Sequence, residues 1–200
     1  MANAAVPERV NIILVVDRDE RALYGSVAED VAGVMMLRCP DKLSVPGLMD
    51  WGAKRAPCEI IMAGSDDIVC RSVGWDEALD EAMWPDGLGC VYFNNGDGRD
   101  RVEHFAVGKP WVDTVGYFMR PEFKHFCADQ WVGDMAKAVD RAKWLPDVMF
   151  EHMHAKYGKA KLDDTYKEKR VEDWSGHDNL LMREMRAEWE AGRDAIARCL

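Results

Sequence analysis

At 200 residues, with 48% apolar side chains and eight tryptophans, the chain holds enough material for one well-buried core and too little for two enzyme-sized domains. That apolar content excludes a disordered chain, while a charged fraction of 31% and the lack of any apolar run near 18 residues exclude a membrane span. The net charge of −10 disfavours general affinity for duplex nucleic acid, which needs a positive field, but leaves room for a local basic patch such as Lys156, Lys159, Lys161, Lys167, Lys169 and Arg170.

In chain order, Met1–Arg9 lacks the basic, apolar and small-residue succession of a signal peptide, so a cytoplasmic site of action is expected. Val10–Val16 is a continuous apolar, β-branched run that predicts a strand, followed by Asp17-Arg18 and a short helix over 20–29. Val34–Leu37 repeats the strand signal and stops at Cys39-Pro-Asp41-Lys42; Leu43–Ala56 then reads as a helix, and Ile60–Ala63 as a third strand. Strands spaced by helical stretches of this length predict a parallel sheet with right-handed crossovers.

Trp75–Met83 carries Trp75, Ala78, Leu79, Ala82 and Met83 at helical spacing, and Pro85-Asp-Gly87 ends the helix. Leu88–Phe93 is the fourth strand, residues 102–107 a further one, and Gly108–Arg120 reads as loop and strand. A second amphipathic helix is expected over 128–142, with Trp144-Leu-Pro-Asp147 as its breaker. Val148–His154 alternates as a strand, and a single long helix is expected over 179–197. The six cysteines lie far apart, with no C-x-x-C pair, and read as reduced core residues.

Chemistry concentrates at a few points. The apolar run before Ser65-Asp66-Asp67 delivers two carboxylates to one edge of a sheet, where a divalent cation with a phosphorylated ligand is the simplest occupant. In Val148-Met-Phe-Glu-His-Met-His154 a strand would send His152 and His154 to one face, about 7 Å apart by the rise per residue. Asp129 stands just before an apolar-periodic helix, where it reads either as a helix-start residue or as a general base. Asn94–Arg99 is a glycine-rich turn without the order of a phosphate loop. No dinucleotide fingerprint, nucleophile elbow or H-E-x-x-H helix occurs, which leaves a metal-assisted α/β site.

Taken in order, these segments resemble a glycosyltransferase of the GT-A fold, close to the family-2 group and its small phage-type relatives, over roughly residues 10–166. Asp50-Trp-Gly-Ala-Lys-Arg-Ala56 followed by Ile60-Ile-Met-Ala-Gly-Ser-Asp-Asp67 resembles the family's Asn-x-Gly helix and its acidic strand end, with Asp50 in place of Asn. Val73-Gly-Trp-Asp76 resembles the segment after it. Phe126-Cys-Ala-Asp-Gln-Trp131 resembles the acidic motif that opens a helix, with one acid in place of two, and Phe150-Glu-His-Met-His154 resembles the late histidine.

The resemblance implies an α/β, Rossmann-like GT-A domain with a mostly parallel central sheet and helices on both faces. It would span residues 1–170, with 171–200 a C-terminal helical extension packed on it. It implies a nucleotide-sugar donor, expected to be a UDP-sugar, and Mn²⁺ or Mg²⁺ held by Asp66, Asp67 and His154, with Asp129 as base. Asp17, Arg18, Asp41, Lys42, Asp50, Ser65 and Asp66 are the expected nucleotide contacts; Asn94, Asn95, Trp111, Asp113 and His152 are the expected sugar or acceptor contacts. The acceptor stays open between a hydroxymethylated base in DNA, met by the basic patch, and a protein or polysaccharide. A metal-dependent phosphohydrolase or nucleotidyltransferase, and a non-catalytic binding module, are the rival readings.

Overall fold

A computed structural model describes residues 3–18, 24, 33–154, 158–161 and 173–200. Its strands are β1 (Ile12–Val16), β2 (Val34–Arg38), β3 (Ile60–Met62), β4 (Ile68–Cys70), β5 (Cys90–Asn94), β6 (Phe105–Gly108) and β7 (Ala142–His152). Its helices are α1 (Val45–Ala53), α2 (Trp75–Ala82), α3 (Lys109–Val115), α4 (Ala128–Ala138), α5 (Trp174–Glu184) and α6 (Arg186–Cys199). Apart from residue 24, the helix expected over 20–29 lies outside the described residues, as do four members of the basic patch, Lys156, Lys167, Lys169 and Arg170.

The sheet corrects one expectation. β1 and β2 form a separate parallel ladder from Ile12↔Val34 to Val16↔Arg38. The main sheet has the order β3-β6-β5-β7-β4. It is mixed: β5 and β7 are parallel, while β3/β6, β5/β6 and β4/β7 are antiparallel. Short apolar runs mark strands but carry no signal of direction, so the expected mostly parallel sheet does not form.

Helices do cover both faces. β5 is buried along nearly its whole length, and its side chains alternate between two cores, as strand geometry requires. Cys90 and Tyr92 join the larger cluster with Trp111 and Val112 of α3, Trp131 and Met135 of α4, and Trp189 and Ile196 of α6. Val91 and Phe93 join the other with Leu79 and Ala82 of α2 and Val148 and Phe150 of β7. Two tryptophans tie the larger core together: Trp131 Nε1 donates to the Tyr117 hydroxyl at 2.8 Å, and Trp189 Nε1 to the Trp131 carbonyl at 3.2 Å. None of the six cysteines is bridged. No helix among the described residues is long and apolar enough to cross a membrane.

Local sequence explains the placement of the elements around the site. The Ser44 hydroxyl caps α1 by accepting from Gly47 N at 3.2 Å. Gly52 lets that helix lie against β1, since a Cβ there would collide with Val15 Cγ2. Where loop and strand were expected, α3 forms: Pro110 occupies its first turn, and Gly116, at φ 86°, closes it in the left-handed region. The long helix expected over 179–197 is instead α5 and α6, broken at Met185.

β7 begins at Ala142 and runs through Trp144-Leu-Pro-Asp147, the segment expected to be only a helix breaker. Its ladder with β5 jumps from Phe93↔Leu145 to Asn94↔Met149, so Pro146, Asp147 and Val148 bulge out. Proline fits there because a bulge asks for no ladder donor. Ser72 closes the bulge: its hydroxyl donates to the Asp147 carbonyl at 3.0 Å and accepts from Met149 N at 2.9 Å.

Candidate metal and nucleotide site

Three chain segments converge beyond the strand ends. The Ala63–Asp67 turn follows β3, the 95–104 connection joins β5 to β6, and His152 ends β7. Backbone bonds lock them together: His152 N donates to the Asn95 carbonyl at 3.0 Å, and Met153 N to the Asp67 carbonyl at 2.7 Å. Ile68 faces His152 across the β4/β7 ladder, which sets Asp67 beside the imidazole.

Asp67 Oδ2 lies 3.0 Å from His152 Nε2, and the Ser65 hydroxyl donates to Asp67 Oδ1 at 2.5 Å. On the other edge of the ring, Nδ1 lies 3.7 Å from Glu103 Oε2. Glu103 is fixed in turn by Asn95 Nδ2 and by Arg101, whose guanidinium reaches Oε1 at 2.7 Å. The His104 and His154 rings meet the His152 ring edge-on, with centroids 5.1 and 4.8 Å away. Glu103, His104 and His152 each offer a ligand atom within 4.8 Å of the others.

The charges are strongly coupled. The hydrogen bond to Asp67, supported by Glu103, raises the His152 pKa to about 9, and the same bond holds Asp67 well below the usual carboxylate range. Burial pushes Glu103 up, but His152, Asn95 and Arg101 outweigh it and bring it down to about 2. Burial, reinforced by the charge of His152, lowers His104 to about 4, so its ring is neutral near pH 7. That ring is 6% exposed, and its buried Nε2 has no hydrogen-bond partner.

Asp129 sits in the first turn of α4, with Oδ1 accepting from Gln130 N at 2.8 Å. A helix start ordinarily depresses a carboxylate. Here burial dominates, the Glu103 charge adds to it, and the pKa rises to about 6. The Glu103 charge thus links Asp129 to the cluster.

The remaining expected site residues are dispersed. Asp66 is exposed beside Asp67. Asp17 is 7% exposed at the end of β1, and Arg18, Asp41 and Lys42 are exposed at the ends of the β1/β2 ladder. Asp50 is turned inward: Oδ1 accepts from Phe118 N at 2.8 Å and Oδ2 from Lys54 Nζ at 2.7 Å. Asn94 Nδ2 donates to the Pro146 carbonyl, while its Oδ1 accepts from Gly96 N and Gly98 N. Trp111 is 1% exposed within the larger core, and Asp113 is exposed, 3.5 Å from Lys109. Lys159, from the basic patch, pairs with Glu151 at 2.6 Å.

The structure therefore gathers Ser65, Asp67, Asn95, His152 and His154, with Asp129 in electrostatic reach through Glu103. Sequence reasoning missed Glu103, His104 and Arg101. Their signal was an acid and a histidine immediately before an apolar strand, at the same sheet edge as Asp67. The donor set fits a divalent cation: carboxylate oxygens and imidazole nitrogens, one of which, His104 Nε2, is buried with no partner.

No family model matches the chain, and no curated protein matches it significantly. Among solved structures, the catalytic domain of Drosophila β1,4-galactosyltransferase 7, crystallised with xylobiose, is similar to it at 14% identity and a TM-score of 0.42, over 80% of each chain.

Proposed function

We propose that this chain is a metal-dependent glycosyltransferase that moves a sugar from a nucleotide-sugar donor, a UDP-sugar first among candidates, to an acceptor hydroxyl. The observation that carries the reading is the Asp67–His152 contact at 3.0 Å. It joins the acidic strand end and the late histidine strand, 85 residues apart, which the sequence resemblance pairs in one cation site, although the histidine in contact is His152, expected to meet sugar or acceptor, and not His154, the expected ligand.

When bound, a divalent ion such as Mn²⁺ or Mg²⁺ would neutralise charge developing on the departing diphosphate. His152, with Asp67 bonded to it and Asp66 and His154 beside them, would help to hold it. The acceptor oxygen attacks the anomeric carbon as the bond from that carbon to the diphosphate oxygen breaks. The bonding pair leaves with the nucleotide, and the acceptor proton passes to Asp129. A carboxylate with a pKa near 6 is mostly ionised at neutral pH yet more basic than an ordinary aspartate, which suits that role.

Hydroxymethylated DNA, protein and polysaccharide all remain acceptors within this proposal. Thermal unfolding with a panel of nucleoside diphosphates and Mn²⁺ tests the donor: stabilisation by UDP that requires metal is expected. Slow release of UDP from a UDP-sugar should fall roughly a hundredfold in Asp67→Ala, in line with loss of metal-assisted charge stabilisation. The reading is overturned if no nucleoside diphosphate stabilises the protein, and cleavage of phosphoesters without sugar transfer would favour the phosphohydrolase.

A further inference from the structure

We propose that Glu103 and His104 are direct ligands of the cation, completing with His152 a site of one carboxylate and two imidazoles, and that Asp67 orients His152. This deepens the transferase reading only in assigning the ligands of its cation.

The two edges of the His152 ring are unlike. Nε2 lies at hydrogen-bond distance, 3.0 Å, from Asp67. Nδ1 and Glu103 Oε2 are 3.7 Å apart, too far for a good hydrogen bond. Two donors each about 2.1 Å from one ion stand about 3–4 Å from each other, so that gap has the width of a shared ion. A carboxylate on the outer nitrogen of a ligating histidine is the usual arrangement for fixing its tautomer and orientation, and Asp67 stands in that position.

His104 supplies the independent observation. It is 6% exposed, sits edge-on to His152, and carries a buried nitrogen without a partner. Such an atom is costly inside a protein unless something meets it. Its backbone is fixed, since its carbonyl accepts from Phe93 N at 3.2 Å. Glu103 is held by Asn95 and Arg101. The candidate ligands therefore gather where the strands end, Glu103 and His104 just before β6 and His152 at the end of β7, and two nitrogens with one carboxylate favour a borderline transition ion over Mg²⁺ or Ca²⁺.

The test uses metal alone, with no nucleotide or acceptor, so its failure is separate from failure of the transferase reading. The chelator-treated full chain is titrated with Co²⁺ and followed by visible absorption, with Mg²⁺ as competitor. One Co²⁺ should bind with nitrogen-ligand bands, and millimolar Mg²⁺ should not displace it. Glu103→Gln and His104→Gln should each weaken binding about ten- to a hundredfold, while Asp67→Asn keeps the bands at reduced affinity.

Because His104→Gln could disturb folding, the wild-type imidazole NMR signals provide a second measure. Mn²⁺ should broaden those of His104 and His152 and spare those of His125 and His177. Broadening confined to His152 and His154, equal affinity in wild type and Glu103→Gln, or ready displacement by Mg²⁺ would each overturn the proposal.

Discussion

Asp178 and Asp67 are both hydrogen-bonded carboxylates, but they are held by different kinds of partner. Asp178, fully buried on α5, accepts from the backbone N–H groups of Lys124, His125 and Phe126 at 2.9, 2.9 and 2.7 Å, and lies 2.8 Å from His177 Nδ1. Asp50 likewise holds Phe118 N. Asp67 and Glu103 depend chiefly on side chains: Ser65, His152, Asn95 and Arg101. A peptide group cannot leave its partner without the loop moving, whereas a side chain can turn toward a ligand. The first arrangement builds the fold and the second stays able to exchange partners.

The largest expected effect breaks the structural side. Asp178→Ala should cost about 4 kcal/mol of stability, because three backbone donors would lose their acceptor at roughly 1–3 kcal/mol each, without full additivity. Urea unfolding measures it. The loop that Asp178 pins ends at Cys127, whose φ is 64°, directly before α4 and Asp129, so activity should fall with it. A loss below about 1 kcal/mol would erase the contrast with the cluster.

Asp129→Asn should do the reverse. The side chain keeps an oxygen for Gln130 N but can no longer take a proton, so turnover should drop about a hundredfold or more. In wild type the rate should rise with pH through about 6 as Asp129 ionises, and the variant should lose that limb. Stability has the opposite sign. With the folded pKa raised above its ordinary 3.8 to about 6, ionised Asp129 lowers stability progressively between those two values and fully above the upper one. The variant should therefore melt higher than wild type at pH 7, with the gain fading toward pH 4.

Asp50→Asn is the smallest change. The amide oxygen can still accept from Phe118 N, and only the half-exposed Lys54 partner is lost. About 1 kcal/mol or less is expected. If UDP affinity were to fall with little change in stability, Asp50 would move to the exchangeable class and its expected nucleotide role would regain support.

The helices with clear apolar stripes were readable in advance. Trp75, Leu79 and Ala82 mark α2, and Trp131 and Met135 mark α4, because a 3.6-residue period leaves a plain trace. What escaped was set by tertiary context. Strand direction has no such trace, so the mixed sheet was missed. Pro146 read as a breaker because its bulge exists only against β5. The Pro110 and Gly116 signals of α3 were present but masked by an apolar run. In the site, Ser65, Asp67 and His152 were legible as positions because each lies at or just past the end of an apolar run, although the expected ligand was His154 and His152 was expected to meet sugar or acceptor. Glu103 and His104 were not, since their significance comes from β7 lying beside β5. Asp129 was singled out at a helix start, but its raised pKa depends on burial and on Glu103, neither of which the helix-start pattern reveals.

The bulge in β7 also works as a phase spacer. Side chains alternate along a strand, so a detour of three residues, Pro146 to Val148, reverses which face the following positions present. With that odd count, His152 turns toward Asp67 and Glu103, while Glu151 turns away to Arg71 and Lys159. A detour of two or four would present Glu151 and Met153 instead, an acid and a thioether in place of two imidazoles. The chemistry available at this sheet edge is thus decided by the parity of a kink several residues upstream.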